Sequence, residues 1–145
     1  MGLKAAMWVH GTIVQAENRP DSESRKGWGA QFGGRATKNW FHIPITIPVV
    51  LDSARPKLAK IFVFYKTNGA TIKNIHVFDG PTRVTAFDGL TLNGEHSRSL
   101  DASNSWAITP SLTISSGLGL SVGVDFGVDP GDILFTAAGA DFMTP

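Results

Sequence analysis

Two tripeptides, Trp8-Val9-His10 and Trp40-Phe41-His42, carry the side chains best suited to holding a ligand. In each, Trp and His are two residues apart, so on a β-strand both stand on the same face. An indole plane stacks on a sugar ring or a flat apolar molecule, and an imidazole adds a hydrogen-bond donor or acceptor near neutral pH. His76, with Asn74 and Phe78 on its own face, and Trp106 lie in two further strand-like runs. These six residues, Trp8, His10, Trp40, His42, His76 and Trp106, are expected to line an aromatic and histidine-rich cleft if their strands face a common space. Taken singly, each also suits a plainer role, because tryptophan fills sandwich cores and histidine is readily satisfied by a carbonyl at a strand end.

Other chemistries find less support. With no cysteine, thiol catalysis, cysteine-ligated zinc, iron–sulfur clusters and disulfides are excluded. Three histidines on separate strands have the right chemistry for zinc, but the chain has no His-x-His pair and no His-Glu-x-x-His helix, so neither a metal nor any other cofactor is assigned. The serines at 97, 99, 103 and 105 sit in a polar stretch without a Gly-x-Ser-x-Gly elbow, and Glu17, Glu23 and Glu95 fall in loop-like regions without a glycosidase pairing. Asp125, Asp129 and Asp132, with Asp101, lack the spacing of a twelve-residue calcium loop, and Asp129-Pro130-Gly131-Asp132 reads as a turn. Glycines around Trp28 and at 33–34 precede strands, so no helix-borne phosphate loop is present. Arg19, Arg25, Lys26, Arg35 and Lys38 interleave with Trp28, Phe32 and Trp40 but are interrupted by acids, and a net charge of +1 is too small for a dedicated nucleic-acid binder.

The elements that must position the cleft are strands. Short alternating runs of β-branched and aromatic residues are separated by Gly, Pro, Asn and Asp, and no stretch of useful length has helical period. Ile43, Ile45, Ile47, Val49 and Leu51 alternate strictly, while Pro44 and Pro48 share the other parity and delete amide donors along one border, which marks 40–51 as an edge strand or a strand that crosses between sheets. Residues 58–66 are apolar on both faces and read as a central strand. Asn68-Gly69 turns that strand into its partner at 71–78. In 118–126, Leu118, Leu120, Val122, Val124 and Phe126 form one face, and Gly119, Ser121, Gly123 and Asp125 the other, small enough to leave space above it. Residues 16–39 read as a long glycine-rich polar loop with a short strand near 28–36.

About nine or ten strands at intervals of roughly ten residues predict an all-β, single-domain antiparallel β-sandwich of jelly-roll type over residues 1–145. The 145 residues suffice for a core that needs no disulfide. Residues 1–100 carry net +6 and residues 101–145 net −5, an asymmetry that cancels if the two ends of the chain lie side by side. No apolar run reaches membrane-spanning length and no signal-peptide core is evident, so a soluble, by default cytoplasmic, protein is expected.

Three functions are compatible with this pattern. The first is a noncatalytic module that binds a carbohydrate or small molecule in the aromatic and histidine cleft. The second is a small histidine- or metal-dependent enzyme using the same cleft. The third is a structural sandwich that self-associates through the edge strand 40–51.

Overall fold

The structure, a computed structural model, describes residues 2–48 and 50–144. Its strands are β1 (Leu3–His10), β2 (Gln15–Ala16), β3 (Ser22–Lys26), β4 (Gly29–Gly34), β5 (Thr37–Ile45), β6 (Lys57–Asn68), β7 (Ala70–Asp79), β8 (Thr82–Phe87), β9 (Glu95–His96), β10 (Ser105–Thr113), β11 (Leu118–Phe126) and β12 (Gly131–Met143). A 3-10 turn at Gly11–Ile13 is the one helical element among the described residues. The strands form two antiparallel sheets. One has the order β10-β6-β12-β4-β3, with β1 also on β12 and β9 also on β6; the other has the order β2-β5-β11-β7-β8. This is the all-β, jelly-roll-like sandwich that the alternation predicts.

Each sheet turns its apolar parity inward. Val122 and Leu120 of β11, Ile75 and Val77 of β7, Phe41 and Ile43 of β5, and Ile61, Val63 and Tyr65 of β6 are at most 1% exposed. A cluster of rings ties the sheets together. Phe41 lies 4.8 Å from Phe32 and 5.5 Å from Phe135, both on the seven-stranded sheet, and 6.4 Å from Phe126 on its own. The two ends of the chain do meet, because β1 pairs with β12 from Leu3 opposite Met143 to His10 opposite Ala137.

Three expectations are corrected. Asn68-Gly69 does not close a hairpin: β6 lies between β10 and β12 in one sheet while β7 lies between β11 and β8 in the other, so this turn carries the chain across the sandwich instead of joining two partners. Residues 16–39 are not a long loop: besides β4, the short strand expected near 28–36, they contain β3, which pairs with it from Ser22 opposite Gly33 to Lys26 opposite Gly29, and β4 in turn joins β12. The segment looked like loop because β3 is an edge strand exposed at all five residues, while β4 is buried through glycines, Ala30 and Phe32 and so lacks the usual branched residues. The strand expected at 40–51 ends at Ile45, with Leu51 making only an isolated bridge to Ala54; Val49 lies outside the described residues. Nor is β5 the outermost strand, since β2 pairs with it, although only at Phe41 and His42. The proline argument still holds locally. Trp40 O accepts from Glu17 N at 2.8 Å, so backbone groups of even-numbered β5 residues point toward β2, and the missing donor of Pro44 falls on the border that β2 leaves bare.

Removing the ring shared by both sheets should be costly. Phe41→Ala is expected to lose about 3–5 kcal/mol of stability. Equilibrium unfolding in urea checks this, and an unchanged midpoint would show that the ring cluster does not hold the sheets together.

Candidate functional site

The outer face of the five-stranded sheet carries an open groove. Its floor is the small parity of β11, with Gly119 opposite Pro44 and Phe78, Ser121 opposite His42 and His76, and Gly123 opposite Trp40 and Asn74. At Gly123 a Cβ would lie 2.8 Å from Asn74 Oδ1 and 3.2 Å from the Trp40 ring, so a larger residue would have to displace these two side chains. The main cavity, about 530 Å³, runs from Gln15 and His42 past Gly119 and Ser121 to Phe78 and Gly80. A smaller one of about 150 Å³ continues it over Trp40 and His76, sharing His42, Phe78 and Ser121. The main cavity falls in the roughly 300–1,000 Å³ range of small-molecule sites.

The polar groups are chained together. His42 Nδ1 lies 2.8 Å from Ser121 Oγ and its Nε2 lies 3.0 Å from Glu17 Oε1. A carboxylate can only accept, so Nε2 carries a hydrogen, and in the neutral imidazole Nδ1 then accepts the Ser121 hydroxyl proton. That leaves the oxygen lone pairs of Ser121 free to accept from a ligand. Across the floor, His76 Nε2 donates to Asp88 Oδ1 at 2.9 Å and Asn74 Nδ2 donates to the same oxygen at 2.6 Å. Lys38 Nζ donates to Asn74 Oδ1 at 2.9 Å. The bond from His76, followed by that from Asn74, holds the Asp88 carboxyl below its ordinary range. Trp40 packs against the His76 ring at 4.8 Å, with Lys38 Nζ 5.4 Å from an indole centroid.

Buried Asn39 sets the position of Glu17. On a strand whose inward parity is otherwise Phe41, Ile43 and Ile45, Asn39 is 4% exposed. Its Oδ1 accepts from Asn18 N at 3.1 Å and its Nδ2 donates to Asn18 O at 2.9 Å, which fastens the chain after β2 to the head of β5. At the other end, the Asp79 carboxylate accepts from the amides of Ser115 and Ser116, each at 2.9 Å, and fixes the turn that leads into β11. Those bonds, the Ser116 amide foremost, lower its pKa.

Of the six residues expected to converge, Trp40, His42 and His76 do so. Trp8 and His10 do not join them, because β1 belongs to the other sheet. Trp8 lies over Gly139 on the outer face of that sheet, stacked on Phe62 at 4.9 Å, and His10 accepts from Thr12 N at 3.1 Å to cap the 3-10 turn. Trp106 shares the inward parity of β10 and sits half-buried against the core, 6.4 Å from Phe87, where the margins of the two sheets meet. Glu17, Asp88 and Ser121 enter the site without having been singled out as ligand groups. Among the described residues, no three His, Asp or Glu side chains gather as a metal would require.

The architecture is a β-sandwich of the kind found in carbohydrate-binding modules. It aligns with a xylan-binding module, CBM15, over 97% of this chain and 98% of that one, at a TM-score of 0.54 and 12% identity. Looser alignments reach the CBM36-1 domain of a multidomain xylanase from the hindgut metagenome of Trinervitermes trinervoides (TM-score 0.45, 9% identity, 94% and 96% coverage) and a CBM36 module in complex with calcium and xylotriose (0.42, 10%, 94% and 98%). Residues 3–135 match the family of unknown function DUF6623, and the chain belongs to that family. No curated protein matches the sequence. No helix among the described residues is long and apolar enough to cross a membrane.

The turn held by Asp79 should be pH-sensitive in a defined direction. A lowered folded pKa stabilises the native state above the unfolded value of about 3.9, and that stabilisation disappears as pH falls through the folded pKa. Asp79→Ala should therefore cost about 1–2 kcal/mol at pH 6. Urea unfolding of both proteins should show the difference shrinking below about pH 4. A difference independent of pH would refute the carboxylate's role.

Proposed function

We propose that this chain is a noncatalytic carbohydrate-binding module whose ligand lies in the groove across β5, β11 and β7. One observation carries the reading: Trp40, His42, His76 and Ser121 meet over a floor kept low by Gly119 and Gly123. A pyranose ring has an apolar face and an equatorial belt of hydroxyls. The groove offers both complements, with the Trp40 and Phe78 rings for the face and two acceptors for the hydroxyls, Ser121 Oγ and Glu17. Because both histidines are held by carboxylates, little side-chain freedom is lost on binding. The shared sandwich with a xylan-binding module makes xylan the first glycan to try.

Catalysis is the second reading, and the Ser121, His42 and Glu17 chain favours it, since it resembles a nucleophile, base and orienting acid. The surroundings of Ser121 argue for binding instead. β11 is paired on both sides at Ser121, so neighbouring amides are committed to ladders and none is free to stabilise an oxyanion.

Affinity electrophoresis in gels containing soluble xylan or mixed-linkage β-glucan tests both readings. Retardation should appear with at least one polymer, weaken about tenfold or more in Trp40→Ala, and persist in Trp8→Ala on the opposite sheet. Absence of retardation with any neutral glycan, or full retention in Trp40→Ala, would sink the binding reading. Ester hydrolysis abolished by Ser121→Ala would put the enzyme in its place.

A further inference from the structure

We infer that the outer face of the seven-stranded sheet bears a second, independent site for an anionic sugar, whose ring stacks on Trp28 and whose carboxylate or sulfate pairs with Arg98. The site does not rest on the groove reading, because it uses the other sheet and none of the same residues.

A cavity of about 480 Å³ lies between the β3–β4 hairpin and the 93–104 segment, walled by Trp28, Lys66, Glu95 and Arg98 over a floor of Leu134 and Thr136. Trp28 projects from the hairpin tip and is 62% exposed. An indole on a short polar turn gains nothing from a core and presents its faces to whatever enters the cavity. The hairpin cannot drift from β12, since a Cβ at Gly29 would fall 2.1 Å from Phe135 O.

The opposite wall is equally fixed. The 93–104 segment is polar and rich in serine, yet two fully buried polar residues hold it. Asn104 Nδ2 donates to Ser99 O at 2.8 Å and to His96 O at 3.1 Å, while its Oδ1 accepts from Asp101 N at 2.9 Å. Tyr65 Oη donates to Ser103 O at 2.8 Å. Thr136 Oγ1 donates to Ser97 O at 2.8 Å, tying the loop to β12 beside the cavity. Rigidity of this kind keeps Arg98 beside Trp28 before any ligand arrives.

Charge selects the ligand. Glu95 accepts from the amide and hydroxyl of Ser97 and faces Lys66 at 3.8 Å, so these two charges offset one another and Arg98 is the cation left for a ligand. Arg98 is exposed and, among the described residues, in no ion pair. Lys26 stands two residues before Trp28 and is also exposed. The cavity rim thus has more positive than negative charge, and the planar guanidinium fits a carboxylate or sulfate with two parallel hydrogen bonds.

The test is affinity electrophoresis of the full chain in polygalacturonate, dextran sulfate and neutral dextran, with Trp28→Ala, Arg98→Ala and Trp40→Ala. Both substituted sites of interest are exposed, so folding is not at stake, and circular dichroism verifies it. Binding to one or both anionic polymers but not to dextran is expected, weakened about tenfold or more by Trp28→Ala and by Arg98→Ala and unchanged by Trp40→Ala. Preference between the two polymers assigns carboxylate or sulfate. The proposal fails if neither anionic polymer is bound, if dextran is bound equally, or if Trp28→Ala binds like the wild type, which would reduce the contact to charge alone.

Discussion

The structure turns on the two faces of β11. Paired along Leu118–Phe126 with β5 on one side and β7 on the other, it has no free border, so everything it contributes is projected up or down. Inward go Leu118, Leu120, Val122, Val124 and Phe126, each at most 5% exposed, and these hold the five-stranded sheet onto its partner. Outward go glycine and serine, which cannot fill the space between the taller side chains of β5 and β7. A groove is the geometric consequence of placing the smallest residues on the central strand. Larger residues there would cover the sheet and leave the strand's contribution to the core unchanged, so the core alone does not explain the choice.

Alternation made much of this legible before any coordinates. The core faces of β6, β7 and β11 and the open space above Gly119 and Ser121 all follow from period two. What period two cannot convey is the sheet to which a strand belongs. Trp8-Val9-His10 and Trp40-Phe41-His42 have the same local pattern, yet the first tripeptide pairs with β12 and the second with β11. Similar parity therefore placed their rings on opposite outer surfaces of the sandwich. Trp106 erred in a different way, since its parity is inward and its partial exposure reflects only its place at the margin. Of the β3–β4 hairpin, β4 falls within the short strand expected near 28–36, whereas β3 escaped notice because all five of its residues are polar and exposed.

Polar residues in core parity were a further signal. Asn39 interrupts an inward row of Phe41, Ile43 and Ile45, and such a residue is tolerated only if its amide is fully used. Both of its polar atoms are spent on Asn18, and the result is the placement of Glu17 against His42. Glu17 itself gave no local sign of a role, because its partner lies twenty-five residues away in the chain.

Asn104 repeats that device at the other sheet. It too is buried and it too clamps a segment that composition alone would leave loose, with Tyr65 beneath adding a third anchor to the backbone. Burial raises the Tyr65 pKa, with the nearby Asp101 acting in the same direction, so the phenol remains a donor across the physiological range and the anchor does not titrate away. An unpaired buried amide costs about 1–3 kcal/mol, so a fold under selection for stability alone would place a leucine or valine at such positions. Two sheets, each with one buried asparagine fastening the loop that flanks its outer cavity, are better explained by a need for fixed surface geometry than by the needs of the core.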